Sequence, residues 1–472
     1  MKKLTSYSLR FIPAALGLAC CLLAINAKAA VLYWDDNTTS TPIGGVWDLT
    51  SSYWATSSTL VASPGVWNPA DAAVFTAGGT SAGSITVNVN TANIGTGGVF
   101  NNGIAGSSCN LTLGGTGSLS LNAGDDAFLV SSGKSTTINT VLTGGGILDA
   151  QSTGSLFLNG VNSYSGGTYL GNSGNTLLFF NNSSAFGTGG FTLNRTANYS
   201  TLLNNSGASA TLANNFSINA VNTGASTGIN FASSASSPVV SSGTWSLGTV
   251  NLVLKNSGGS TAPLTLSGAI SGSGGLTVTA NAAGSKVILA AASSGYTGAT
   301  TVAGTGYLFG GTASGAAGYL KFGIANAIPN TTGMTLAGGT MDPGGFNQAM
   351  SSAALSLTAS STIDYTSGKA EIDFADSSSA AWTSGATLNL VSTGGGNWNT
   401  SGDELNFAQN PIGLDSVRLG QITFNGTDAG DAAIDDNGFI YDSVQPIPEP
   451  STLVLGLLGG LGLLWKARRR TA

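Results

Sequence analysis

The chain has 472 residues, of which 70 are glycine, 15 are Lys or Arg, 21 are Asp or Glu, and none is histidine. A chain without histidine cannot assemble Ser-His-Asp or Cys-His catalytic sets, histidine zinc sites or an imidazole general base. Eight of the fifteen cations lie in residues 1–29 and 448–472. Residues 30–447 therefore keep seven basic and twenty acidic groups, a net charge of about −13, which repels nucleic acid and anionic lipid.

At the N-terminus, Lys2, Lys3 and Arg10 precede an apolar stretch over 11–25, and Ala27-Lys28-Ala29 has the small-x-small form of a signal-peptidase site. This predicts a signal peptide over 1–29, cut after Ala29, with the mature chain starting at Ala30. A lipoprotein reading through Cys20 is weaker, because Gly17 stands where a leucine is expected. After cleavage only Cys109 remains, so no internal disulfide is expected.

Residues 30–95 hold Trp34, Trp47, Trp54 and Trp67, then Asp71-Ala-Ala-Val-Phe75 and the alternating Ile85-Thr-Val-Asn-Val89. They read as a tryptophan-rich N-terminal cap whose rings fill a core. The sharper alternative is a sugar-stacking platform.

From 96 to 345 short apolar-x-apolar triplets recur between Gly/Ser/Asn turns: Leu111-Thr-Leu113, Leu156-Phe-Leu158, Leu264-Thr-Leu266, Leu276-Thr-Val278 and Val287-Ile-Leu289 among them. No helical period competes. Strands this short bury too little as isolated hairpins, but stacked in register they share one continuous core. The pattern predicts an all-β fold, a parallel β-solenoid.

Two stretches repeat the same grammar. Leu142-Thr-Gly-Gly-Gly-Ile-Leu148 leads to Leu156-Phe-Leu158 and Tyr164-Ser-Gly-Gly-Thr168; Ile270-Ser-Gly-Ser-Gly-Gly-Leu276 leads to Val287-Ile-Leu289 and Tyr296-Thr-Gly-Ala-Thr300. The corner residues Tyr164, Gly166 and Thr168, with Tyr296, Gly298 and Thr300, are candidate structural sites. Glycine suits the bends, and each tyrosine is expected to turn its ring inward and its hydroxyl to water. The pairs Asn181-Asn182, Asn204-Asn205 and Asn214-Asn215 suit left-handed corners. The two copies resemble autotransporter-associated β-strand repeats. The resemblance implies a right-handed parallel β-helix and an extracellular stalk or adhesin-like role. The C-terminal outer-membrane barrel of a true autotransporter has no counterpart here.

Residues 346–443 are more charged and read as a C-terminal cap that blunts the solenoid edge. In residues 444–472, Pro446, Pro448 and Pro450 hold an extended motif, 452–465 are apolar, and Lys466, Arg468, Arg469 and Arg470 follow. Fourteen helical residues rise only about 21 Å, against roughly 30 Å of hydrocarbon. Pro448-Glu449-Pro450 with the apolar run and the basic end resembles the PEP-CTERM sorting signal of Gram-negative bacteria. It implies a C-terminal transmembrane sorting helix, processing by an exosortase near the motif, transient residence in the inner membrane, and a final place at the cell surface or extracellular matrix.

Carboxylate chemistry has candidates in Asp35/Asp36, Asp125/Asp126, Asp403/Glu404 and Asp435/Asp436, but neighbours along a strand point to opposite faces. Asp428, Asp431, Asp435, Asp436 and Asn437 miss the EF-hand order. The reading is an exported structural or adhesin-like solenoid, sorted by its tail. It is expected to have no catalytic residue, cofactor or metal, and an exopolysaccharide or other glycan is its candidate partner. The alternatives are a carbohydrate-active β-helix enzyme and a glycan-binding module using the tryptophans.

Overall fold

The computed structural model describes residues 30–34, 44–56, 64–75, 83–101, 109–170, 176–193, 199–204, 208–219, 227–233, 237–292, 294–309, 312–392, 403–408, 413–427 and 430–443. The expected signal peptide with Ala27 and Ala29, and the expected sorting segment with Pro448, Glu449 and Pro450, lie outside them. The chain divides into two compact units at Leu320/Lys321. Helix among the described residues is confined to single turns at Tyr365–Ser367 and Ser416–Leu419. No described helix is long and apolar enough to cross a membrane.

In the first unit the short triplets become the rungs of a parallel β-solenoid of about eleven turns. One face runs from Val31–Trp34 through Ile147–Ala150, Phe191–Leu193 and Trp245–Ser246 to Gly295–Tyr296. A second runs from Gly45–Trp47 through Ser155–Leu158 and Leu252–Asn256 to Thr300–Ala303. A third is built from Ile94–Thr96, Ser118–Leu121 and Val141–Gly144. It reappears as Ala210–Leu212, Val239–Ser241, Leu264–Leu266 and Lys286–Leu289.

Period-two patterning fixes which side is core. Strands such as Ser135–Ile138, Ser155–Leu158 and Lys286–Leu289 alternate half-exposed and buried. Their inward residues stack in register from turn to turn: Leu111, Thr136, Leu156, Leu178 and Leu202 form one such column. Each buried leucine is worth about 1.5–3 kcal/mol relative to exposure. The threonine in that column is tolerated because its hydroxyl accepts from Asn101 Nδ2 at 3.2 Å. An aromatic column continues inside, with Phe191 over Phe216 at 4.9 Å and Phe216 over Trp245 at 4.1 Å, nearly parallel. The first face ends at Trp54–Ala55, which pairs antiparallel with Val31–Trp34 and occupies its open edge.

The second unit also has parallel rungs: Met334–Ala337 with Leu355–Ala359; Thr340–Asp342, Ser361–Asp364, Leu388–Val391 and Ile422–Phe424; and Gln348–Met350, Glu371–Phe374 and Glu404–Phe407. The block 346–443 therefore holds stacked rungs of its own. Edge-blocking geometry belongs to the antiparallel hairpin Ala432–Ile434 and Ile440–Asp442. Phe407 N–H donates to Gly438 O at 2.9 Å, so the hairpin turn takes up the edge of Glu404–Phe407.

Candidate functional site

The repeat corners are the most explicit sequence-defined sites. Tyr164 and Tyr296 are fully buried, and so are Thr168 and Thr300. Tyr164 Oη lies 2.6 Å from Thr168 Oγ1, and Tyr296 Oη lies 2.6 Å from Thr300 Oγ1. The expectation that the tyrosine hydroxyl meets water is thus corrected: the threonine four residues on is its partner. This answers why the motif carries Thr at its end, since a buried hydroxyl without a partner costs free energy. Burial pushes both phenols well above their ordinary pKa, so they stay protonated.

The glycine at the motif centre is set by the turn beneath. A Cβ on Gly166 would overlap Gly146 O, and one on Gly298 would overlap the Gly274 backbone. The tyrosine, glycine and threonine therefore form one local device that packs a corner onto the preceding turn. The two copies occupy different faces. Thr168 opens a strand of the first face, between Ile147–Ala150 and Phe191–Leu193, whereas Thr300 opens a strand of the second, beside Leu276–Ala280. The device is local, so it works at either angular position.

A mirrored corner went unread in the sequence. In Ser241-Ser-Gly243-Thr-Trp245 the indole Nε1 of buried Trp245 donates to Ser241 Oγ at 3.0 Å, and a Cβ on Gly243 would overlap Asn214 O. The available signal was an aromatic and a hydroxyl four apart around a glycine, in reverse order. The asparagine pairs also act differently from expectation. Among the described residues, which exclude Asn205, the positive-φ asparagines are Asn93, Asn326 and Asn425. Asn182 and Asn214 instead donate side-chain amides to carbonyls of the preceding turn, Asn159 O at 3.0 Å and Gly189 O at 2.7 Å. A short amide that satisfies backbone across turns replaces the left-handed role.

Trp34, Trp47, Trp54 and Trp67 are each at most 3% exposed. Trp54 and Trp67 lie 4.4 Å apart, Trp47 and Trp67 4.8 Å, and Phe75 sits 5.8 Å from Trp54. Sugar stacking needs an open ring face, and these rings face one another. They are the hydrophobic core of the N-terminal end. Outward-facing aromatics occur elsewhere: Phe157 and Phe179, half-buried and in register, stack at 4.1 Å on the second face.

The pair Asp403/Glu404 separates as strand geometry requires. Asp403 is buried and accepts from Ser392 Oγ, while Glu404 next to it points outward. Asp126 is buried on the inner side of its strand. Asp435 Oδ1 accepts from Asn437 N and Phe439 N at 2.9 Å each, which is turn capping. Asp35, Asp36 and Asp428 lie outside the described residues. Among the described residues no group of three His, Cys, Asp or Glu side chains could hold a metal ion. No family model, no curated protein and no solved structure matches the chain.

Proposed function

We propose that this chain is an exported, surface-directed structural or adhesin-like protein, with a right-handed solenoid closed by caps at both ends. The observation that carries the reading is the parallel solenoid itself. Its alternation spends one residue in two on the core and leaves the other as a repeating outer surface. On the second face that surface runs Ser84 and Thr86, Asn110 and Thr112, Ser135 and Thr137 in successive turns. Over these turns the surface is polar without charge, Phe157 and Phe179 continue the Thr137 column in the next two turns, and it suits contact with a neutral exopolysaccharide or other glycan rather than nucleic acid.

The termini supply the destination. The signal peptide over 1–29 directs export through signal peptidase. The segment 444–472 holds the protein in the inner membrane until an exosortase-type enzyme cuts near Pro448-Glu449-Pro450, after which it reaches the surface or matrix. An apolar run of about 21 Å is short for the bilayer, which fits a retention step better than a lasting anchor. The test is fractionation of the producing cell and intact mass of the surface or secreted form. The expected species starts at Ala30 and lacks residues 452–472. A species at its final location that still carries Trp465 and the arginines makes the tail a plain anchor and removes the processing step.

A further inference from the structure

The outer side of the rungs Glu371–Phe374 and Glu404–Phe407 stacks carboxyls without counter-charge. Glu371 is the direct register partner of Glu404, and Asp373 stands two residues along the same face, opposite Asn406. In a parallel ladder, register partners lie about 4.8 Å apart across the hydrogen-bonding direction. Like charges opposed at that distance destabilise the pairing. The rung before adds nothing to offset this: Ala349 faces Asp373, and Asn347 Oδ1 accepts from Glu371 N at 3.0 Å. Buried Tyr365 donates its hydroxyl to the carbonyl of Glu404 at 3.1 Å, and buried Asp403 adds a further acidic group beside it. Exposed Lys369 is the nearest cation in sequence. The ion pairs Lys321–Asp342 and Arg418–Asp415 include no residue of the ladder.

We propose that this carboxyl ladder is a proton-operated clasp, in which one proton shared between Asp373 and Glu371 tightens the second unit's rungs in mildly acidic medium. Two carboxyls can share a hydrogen bond only when one of them is protonated, and Glu371 and Asp373 stand two residues apart on the same outward side of their rung. Burial, followed by the charge of Glu371, that shared bond and the charge of Glu404, raises the Asp373 pKa to about 6. The direction follows from linkage. A carboxyl that binds its proton more tightly folded than unfolded adds stability as pH falls through the folded value, and the gain is complete near the unfolded value. The window therefore runs from about pH 7 down to about pH 4, and the sign is opposite to that of a salt-bridged carboxylate.

Hydrogen exchange of the full chain tests this, with protection corrected for intrinsic rates. From pH 7.5 to 5.0, peptides covering Glu371–Phe374 and Glu404–Phe407 should gain protection by up to about tenfold, solvent screening at the exposed side reducing the figure. The rungs Leu264–Leu266 and Lys286–Leu289 serve as the unchanged reference. Asp373→Asn should hold the ladder peptides at high protection at both pH values. Should that variant not fold, Glu404→Gln removes one opposed charge and should flatten the response. A pH-independent ladder, or a variant that keeps the wild-type slope, overturns the proposal. Calcium chloride giving the same gain at pH 7.5 also overturns it, since the cluster would then be a cation site.

Discussion

At the scale of single residues, Tyr296 and Thr300 show how a short motif acquires its letters. Each hydroxyl is buried, and each is the other's partner at 2.6 Å. Tyr296→Phe removes one oxygen and leaves the Thr300 hydroxyl without that bond. Denaturant unfolding should show a loss of about 1–3 kcal/mol. Adding Thr300→Val to the same chain removes the orphaned group with little change of shape, so the double variant should recover part of the loss. Additive losses would mean that the hydroxyl pair is not the coupled unit drawn here. Tyr164→Phe should cost less, because the Thr168 hydroxyl keeps its donation to Phe186 O at 3.4 Å.

Among elements, the corner turn depends on how closely two backbones approach. Gly298 passes over the Gly274 backbone with no room for a methyl group, whereas a Cβ on Gly295, three residues earlier, meets nothing within 4 Å. Gly298→Ala should therefore lower the melting temperature clearly, and Gly295→Ala should be neutral. Equal effects from the two would show that backbone entropy, not stacking clearance, governs the turn. This contrast also marks what the sequence can reveal. The period-two triplets and the repeated Gly-rich corners made the parallel solenoid legible, because inward alternation is a local pattern. What those glycines touch is set by the preceding turn, some twenty or more residues away, and no local window contains it. The tryptophan core was half legible: four large aromatics demand burial or a ligand, and their mutual packing through Phe75 settles it only in three dimensions. The outward ladder of Glu371, Asp373 and Glu404 was hidden for the same reason, since Glu404 comes opposite Glu371 only through register.

For the molecule as a whole, the charge distribution separates its body from its ends. Residues 30–447 carry seven cations against twenty acids, while four of the remaining cations, Lys466, Arg468, Arg469 and Arg470, follow the apolar stretch 452–465. A body with that excess of negative charge gains nothing from an anionic membrane surface. On the proposed reading, retention at the inner membrane would rest on the tail alone, with its basic end held on the cytoplasmic side. Deleting residues 452–470 should release the protein into the periplasm in soluble form, with its solenoid intact by a β-type circular dichroism spectrum. Glu449→Ala leaves the apolar run and the arginines untouched, so it should still reach the inner membrane. It should accumulate there uncut, since the change lies in the motif and not in the membrane segment. Fractionation with intact mass reads both outcomes. A deletion variant that stays with the inner membrane would place retention in the body of the protein, and a Glu449→Ala chain processed at the wild-type rate would take the motif out of the cleavage step.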